Sequence, residues 1–467
     1  MKKLFGNKEF YRLVLALALP LLLQNAVSTF VNLLDNLMVG RVGTESMSGV
    51  SIVNQLIFVY NLCLFGGSGG AGIFGAQFFG RGDQKGVRNT LRFNLVLCLT
   101  FSVIWILLLM LLQEPLINAF LHDSDAVGSL ELTLSEGRDY LRVMVWGLPP
   151  FAVTTAYVSI LRVAQDNRLP MRASVAAILV NLVFNYLLIY GKFGFPCLGV
   201  RGAAIATVMS RYVEMGIILF GTHGKKSPPE FIRGLYRHFS VPRQLCGQII
   251  RKGMPLLINE TFWSLGMTML TQCYSYRGLD AVAALNINST VLNFFNTVLF
   301  TMGNVVGVIL GNMLGAEEFD RAKNACPKLI TISFLACAVM GGGLVAVAPL
   351  APQLYNTSGT VMYIASCLLR VCGLMLPVHA IVNCSYWAMR AGGKTIITML
   401  FDSVYTWVFS VPVAFCLIHF TTLDLITVYT IVNLVDFIKC TAGIILLRKG
   451  IWVHNIINAP NKEKLPC

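Results

Sequence analysis

Long apolar stretches, separated by short polar breaks, recur along the chain from residue 13 to residue 447. A helix that crosses a bilayer needs about 20 predominantly apolar residues, and twelve stretches reach that length. The strands of a membrane barrel would alternate polar and apolar residues over about 10 positions, and these stretches do not. The pattern therefore predicts an all-α integral membrane protein with twelve transmembrane helices.

The composition agrees with this prediction. Of 467 residues, 56% are hydrophobic and only 12% are charged, whereas soluble domains carry about 25% charged residues. The loops are too short to contain a separate aqueous catalytic domain, which excludes an ordinary soluble enzyme. The predicted spans are approximately residues 13–38, 47–79, 91–112, 140–161, 171–190, 199–220, 254–276, 281–314, 327–348, 367–389, 395–418 and 426–447.

The formal net charge of +14 raises the question of a nucleic-acid partner. Most of the 36 Lys and Arg residues, however, precede the first span or follow the even-numbered spans, and the opposite loops contain few. This asymmetry follows the positive-inside rule. It predicts a multi-pass protein of the inner cell membrane with both termini cytoplasmic, surrounded by membrane lipids, and no nucleic-acid partner.

The two halves of the sequence resemble each other at a constant spacing. Pro20 and Gly80 in the first half match Pro255 and Gly315 in the second, each 235 residues later. Each half contains six spans and starts on the same side, so the repeats are parallel, an arrangement typical of transporters. The predicted organisation is a six-helix lobe at 1–221, a basic cytoplasmic linker at 222–252, a second six-helix lobe at 253–450 and a cytoplasmic tail at 451–467.

Acidic residues inside the predicted spans are the first candidates for function, because an ionised group at the centre of a bilayer costs at least ~2.5 kcal/mol. Glu214 and Asp436 stand three residues from a basic residue, Arg211 and Lys439 respectively, so we predict a structural ion pair on the same helix face for each. The role of Asp402 stays open. The remaining two acids are Asp35 and Glu260.

Asp35 shares a helix face with Gln24, Ser28 and Asn32, which predicts that the first span lines a polar cavity.

Glu260 follows Asn259 and shares a face with Trp263, Met267 and Tyr274. A carboxylate among aromatic and thioether side chains suits a bulky organic cation. On the eighth span, Asn286 and Asn293 lie on one face and add polar groups to the predicted substrate-binding set.

Several segments resemble the multidrug and toxic compound extrusion (MATE) transporters of prokaryotic type. They include LLDNLMVGRVGTE, AQFFGRGDQK, NLVFNYLLIYGKFGFPCLGVRGAAIATV, MPLLINETFWSLG, GNMLGAEEFDRAK and RKGIWVHN. The similarity extends over nearly the whole chain and occurs in both halves in the same order. The resemblance implies two pseudo-symmetric six-helix lobes around a V-shaped cavity, and export of cationic or polyaromatic compounds in exchange for H⁺ or Na⁺.

The resemblance also implies roles for single residues in cation coupling. Asp35 falls on the aspartate of the first lobe, and Asn181 on the polar residue of the fifth helix that accompanies it. Asn185 stands where proton-coupled prokaryotic members often have a second aspartate. Glu260 falls on the glutamate of the second lobe that sodium-coupled members use. The family's carboxylate of the tenth helix is replaced in this sequence, and His379 is the residue nearest to its position. Na⁺ is therefore expected near Glu260 or Asp35 if Na⁺ is the coupling ion.

The sequence thus predicts a monomeric secondary active antiporter for organic cations, with no cofactor. A flippase for lipid-linked saccharides shares the superfamily architecture and is the first alternative. Such a protein would be expected to have cationic residues in its cavity to bind a pyrophosphate, whereas acids outnumber bases within the predicted spans of this sequence. A membrane-embedded enzyme is the second alternative. The six His residues are dispersed along the chain, which argues against a catalytic cluster.

Overall fold

The computed structural model describes residues 6–40, 44–118, 127–224, 228–237, 240–355 and 357–457, without the side chains of 30–37, 39–40, 44–48, 118 and 127–131. The described residues contain helices and no strand, so the predicted all-α fold class is confirmed. The helices are α1 (Lys8–Gly40), α2 (Thr44–Arg81), α3 (Gln84–Leu111), α4 (Gln113–Asn118), α5 (Val127–Met144), α6 (Leu148–Val163), α7 (Arg168–Tyr190), α8 (Gly199–His223), α9 (Arg243–Ser275), α10 (Leu279–Gly315), α11 (Phe319–Val347), α12 (Gly359–Ala391), α13 (Thr395–Met399), α14 (Val411–Phe420) and α15 (Leu425–Arg448).

Eleven helical segments in the described part of the chain are long and apolar enough to cross a membrane. The predicted seventh span corresponds to α9, which has 33 residues but does not reach the same hydropathy. Polar residues such as Asn259, Glu260 and Gln272 are the reason. Helix α9 is therefore the least apolar of the long helices, and it carries the acidic residue that the sequence singled out.

The eleventh predicted span is not a regular α-helix. Between α13 and α14 it contains two π-helical turns, Leu400–Val404 and Thr406–Ser410. A π turn widens the helix and frequently occurs at a functional site. Asp402 lies in the first of these turns.

The chain divides into two compact units. The N-terminal unit consists of Leu23–Gly75 and Gln84–Gly247, and the C-terminal unit of Met1–Leu22, Ala76–Asp83 and Gln248–Cys467. In the N-terminal unit α7 packs on α8, and α3 on α6. In the C-terminal unit α12 is central and packs against α10, α11 and α15.

Residues 228–237, from the basic region between the halves, are fastened to the N-terminal unit by two arginines of α3. Arg92 donates hydrogen bonds to the carbonyl oxygens of Gly234 and Leu235, both at 2.7 Å, and Arg88 donates to that of Glu230 at 2.7 Å. Within this segment the side chains of Phe231, Ile232 and Leu235 are buried. This part of the predicted linker is consequently a packed element.

The end of α2 and the end of α10 make a reciprocal contact inside the C-terminal unit. A Cβ atom added to Gly80 would overlap with the backbone carbonyl of Asn312, and a Cβ atom on Gly315 would overlap with that of Gln77. Gln77 matches Asn312, and Gly80 matches Gly315, at the repeat spacing of 235 residues. Each repeat therefore supplies the same pair, a glycine and an amide residue three positions before it, to one close contact.

We expect Gly80→Ala and Gly315→Ala each to lower the free energy of unfolding by about 1–3 kcal/mol, because an added methyl group meets backbone that cannot rotate away. Thermal melting of the purified protein in detergent measures the effect. Gly72→Ala is the matched control, since it lies on α2 and a Cβ atom there has no neighbour within 4 Å. Equal melting temperatures for all three variants would contradict this account.

Candidate functional site

Each unit contains a cluster of polar and charged side chains that connects several of its helices. The N-terminal cluster consists of Gln24, Arg162, Ser174 and Glu214, and the C-terminal cluster of Asn259, Glu260, Tyr386, Arg390, Asp402, Ser403 and Lys439. Such groups have no water to bind in the hydrocarbon region, so they must satisfy one another.

In the N-terminal cluster a chain of hydrogen bonds runs from α1 to α8. Gln24 Nε2 donates to Ser174 Oγ at 2.6 Å, and Ser174 Oγ donates to Glu214 Oε1 at 2.5 Å. Arg162 donates to Gln24 Oε1 at 3.4 Å and interacts electrostatically with Glu214. Arg211 of α8 itself also interacts electrostatically with Glu214, so the charge of Glu214 is balanced both from its own helix and from α6.

In the C-terminal cluster Glu260 on α9 faces α12. Its Oε1 lies 3.7 Å from Arg390 NH1 and accepts a hydrogen bond of 3.5 Å from Tyr386 OH. Both charged side chains are well enclosed, with 14% of Glu260 and 5% of Arg390 exposed. The guanidinium of Arg390 also lies over the ring of Trp387, 4.7 Å from its centroid. An arginine thus lies beside the carboxylate for which the sequence predicted an organic cation, and its aromatic partner, Trp387, is not one of the aromatic residues that the sequence singled out.

A second ion pair lies next to the first. Lys439 Nζ on α15 donates to Asp402 Oδ1 at 2.7 Å, and its ammonium lies 5.6 Å from the centroid of Phe401 and 5.5 Å from that of Tyr405. Asn259 joins the two pairs, because its Nδ2 donates to Asp402 Oδ2 at 3.2 Å and to Tyr386 OH at 3.4 Å. The cluster therefore contains two acids and two bases in one hydrogen-bonded network.

Asn259 also fastens α9 to the π-helical segment. Its Oδ1 accepts a hydrogen bond of 3.3 Å from the backbone N–H of Ser403, and Ser403 Oγ donates to the Asn259 carbonyl oxygen at 2.7 Å. In a π turn some backbone N–H and C=O groups lose the hydrogen-bond partner that a regular α-helix would give them. The side chain of Asn259, which is only 1% exposed, supplies one of the missing partners and thereby positions Asp402.

The predicted ion pairs within single helices are wrong for Asp436 and Lys439. Lys439 pairs with Asp402, and Asp436 Oδ2 lies 3.2 Å from His379 Nε2 on α12. In the N-terminal unit Arg211 donates to the carbonyl oxygen of Gly147 at 3.2 Å. For Asp436 and Lys439, packing between helices brings a partner from another helix closer than the neighbour three residues away.

The predicted coupling residues fall in different surroundings. Asn181 and Asn185 are buried on α7, where Asn185 donates to Asn181 and Asn181 donates to Thr207 Oγ1, both at 3.2 Å. Glu260 belongs to the C-terminal cluster and His379 to the pair with Asp436. The side chain of Asp35 lies outside the described residues.

The predicted substrate-binding residues are divided between the two units. Gln24 and Asn259 belong to the two clusters, and Ser28 donates to the carbonyl of Gln24 in its own helix. Tyr274 is 5% exposed in a hydrophobic core and packs against Tyr429. Trp263 is partly buried, while Met267, Asn286 and Asn293 are exposed on α9 and α10. The side chain of Asn32 lies outside the described residues.

The sequence patterns did not indicate that three basic residues belong to these clusters. Arg162 and Arg390 each stand one residue before the end of a helix, α6 and α12, so they counted as loop charges in the topology. Lys439 was paired with the wrong acid. The repeat contains the missing signal, because Ser174 and Asp402 each follow the corresponding arginine by twelve residues.

We expect Glu214→Gln to lower the free energy of unfolding by about 1–3 kcal/mol, because Arg162 and Arg211 keep their charges without the carboxylate. Thermal melting in detergent tests this. Glu230→Gln is the control, as its side chain is exposed in the segment that α3 holds. A Glu214→Gln protein that melts with the control would contradict a balancing role for Glu214.

The whole chain has recognisable relatives. The sequence matches the MatE family over residues 20–187 and 255–416. It is 27% identical to the probable multidrug resistance protein NorM of Thermotoga maritima over 98% of this chain and 96% of the relative. It is 25% identical to the probable multidrug resistance protein YoeA of Bacillus subtilis over 88% of this chain and 87% of the relative.

Solved structures agree with the fold. The outward-facing conformation of a multidrug resistance MATE transporter superposes with a TM-score of 0.83 and 22% identity, covering 96% of this chain and 97% of that one. A transporter of the MOP superfamily from Pyrococcus furiosus, described as having a binding pocket of reverse polarity, superposes with a TM-score of 0.84 at 21% identity, covering 96% and 97%. The chain belongs to the MatE family, that is, to the multi-pass multidrug transporters and not to the enzymes.

Proposed function

We propose that the protein is a secondary active antiporter that exports organic cations or polyaromatic compounds in exchange for H⁺ or Na⁺. The observation that supports this proposal most is the position of Glu260 inside the C-terminal cluster. This residue is an acid 14% exposed on a predicted span, and it has one cationic partner, Arg390, at 3.7 Å. That distance is longer than a direct hydrogen bond, so the carboxylate can accept a further cation. The names of the relatives support the substrate class.

Exchange at such a carboxylate requires that only one cation be bound at a time. A coupling ion and a cationic substrate that compete for Glu260 cannot both be retained, so the entry of one favours the release of the other. One charge that moves through 100 mV provides ~2.3 kcal/mol, which corresponds to a gradient of roughly 50-fold. Asp35 is proposed as a second coupling acid in the first lobe, and Asn181 and Asn185 are proposed as the coupling residues of the fifth span.

The same proposal includes the orientation. Both termini are cytoplasmic, because the basic loops follow the even-numbered spans, and the protein acts as a monomer in the cell membrane. A flippase for lipid-linked saccharides has less support. The buried bases of the C-terminal cluster, Arg390 and Lys439, each lie against a carboxylate, so within this cluster neither positive charge is left unbalanced for a pyrophosphate.

Glu260→Gln is expected to reduce efflux of a fluorescent cation from whole cells by at least about tenfold, since the neutral amide cannot exchange cations. Asp35→Asn should have the same effect. Asp280→Asn is the control, because Asp280 is an exposed acid in the first turn of α10. The amount of protein in the membrane must be equal in all strains. Full efflux in both Glu260→Gln and Asp35→Asn would contradict the mechanism.

Collapse of the proton gradient and of the sodium gradient, in separate experiments on the unaltered protein, should abolish efflux in one case. Loss with the proton gradient alone identifies H⁺ as the coupling ion, and loss with the sodium gradient alone identifies Na⁺. Efflux that continues after both gradients are collapsed would rule out antiport.

A further inference from the structure

The pair formed by Asp402 and Lys439 has no part in the mechanism above, although both side chains lie inside the C-terminal unit. They are 21% and 10% exposed, and 2.7 Å separates Lys439 Nζ from Asp402 Oδ1. The transfer of two charges out of water is costly, and replacement of a buried ion pair by apolar residues is often neutral or stabilising. Stability alone is therefore a weak reason for such a pair in a membrane helix.

The pair is connected to the proposed coupling acid. Asn259 donates one hydrogen of its Nδ2 to Asp402 and another to Tyr386 OH, and Tyr386 OH donates to Glu260. Asp402 and Glu260 thus share a network in which a change of charge on one alters the surroundings of the other. The ionisable groups that interact with Asp402 are Lys439 of α15, Glu260 of α9 and Tyr386 of α12. Beyond these, Arg390 faces Glu260 and Tyr386, Tyr405 faces Lys439 and Asp436, and Asp436 lies beside His379.

At the position that corresponds to Lys439, the N-terminal unit has an acid in place of a cation. Ser174 stands where the C-terminal unit has Asp402, and Glu214, nine residues before the end of α8, stands where it has Lys439, nine residues before the end of α15. In one unit a hydroxyl meets a carboxylate, and in the other a carboxylate meets an ammonium. The tethered cation is specific to the unit that contains Glu260.

We infer that Lys439 is a tethered counter-ion that the coupling cation displaces from Asp402 during transport. Without the coupling cation, the ammonium occupies Asp402. When the cation binds, Asp402 and Glu260 share it through the network of Asn259 and Tyr386, and Lys439 moves toward the rings of Phe401 and Tyr405, which lie 5.6 and 5.5 Å away. The inference rests on the proposed antiport. It adds Asp402 as a positioning acid and Lys439 as the group that competes with the coupling cation for Asp402.

A tethered competitor weakens cation binding and speeds release. If Lys439→Gln removes it, the concentration of coupling cation for half-maximal efflux should fall about tenfold, which corresponds to about 1.4 kcal/mol, and the maximal rate should fall as well. Lys439→Arg keeps a positive charge at this position, so its concentration of coupling cation for half-maximal efflux should stay near that of the unaltered protein. Lys449→Gln is the control, because it removes an exposed lysine just beyond the end of the same helix.

The measurement is efflux of a fluorescent cation as a function of Na⁺ concentration and, separately, of pH, with melting temperatures recorded on the same proteins. Asp402→Asn combined with Lys439→Gln removes both charges and keeps the site neutral. We expect the melting temperature of this double variant to be near that of the unaltered protein. Its concentration of coupling cation for half-maximal efflux should be higher than that of the unaltered protein.

A purely structural pair gives a different pattern. Lys439→Gln would then melt at a lower temperature with an unchanged requirement for Na⁺ and for protons, and the double variant would match the unaltered protein in both respects. That pattern overturns the inference, while loss of efflux in Glu260→Gln would still support the antiport. Efflux of the unaltered protein that needs neither gradient would overturn the antiport itself.

Discussion

A charge inside a membrane helix needs a partner from the protein, because the lipid offers none. In this molecule many of the partners come from other helices. Glu214 accepts from Ser174 of α7 and interacts with Arg162 of α6 as well as with Arg211 of its own helix, Glu260 faces Arg390, and Asp402 faces Lys439. The contacts between helices solvate the charges and also help to determine which helices of a unit stay together.

The two repeats place polar residues at equivalent positions but give them different charges. Gln24 corresponds to Asn259, and Arg162 to Arg390, and both pairs keep their chemistry. Ser174 and Asp402 differ, and so do Glu214 and Lys439. A duplicated helix arrangement thus supports two clusters with separate electrostatic properties.

The positions of the helices followed from the sequence because hydropathy over about 20 residues is a local property. Glu260 was also found, since an acid in an apolar stretch stands out. The partners of Lys439 and Asp436 could not be found in this way, because the rule for residues three apart considers one helix only, whereas Asp402 and His379 approach from other helices. The π turn that contains Asp402, Leu400–Val404, has no Gly or Pro of its own, and a backbone N–H within it donates a hydrogen bond to Asn259 of α9. The second π turn ends two residues before Pro412.

The segment held by Arg88 and Arg92 affects how the protein could be divided. If the two halves were produced as separate chains, residues 228–237 would have to remain with the first half. A break before them would expose Phe231 and Leu235 to water and leave the two guanidinium groups without the carbonyl oxygens they now bind. The connection between the repeats that is free of such contacts is therefore much shorter than the basic stretch of sequence suggests.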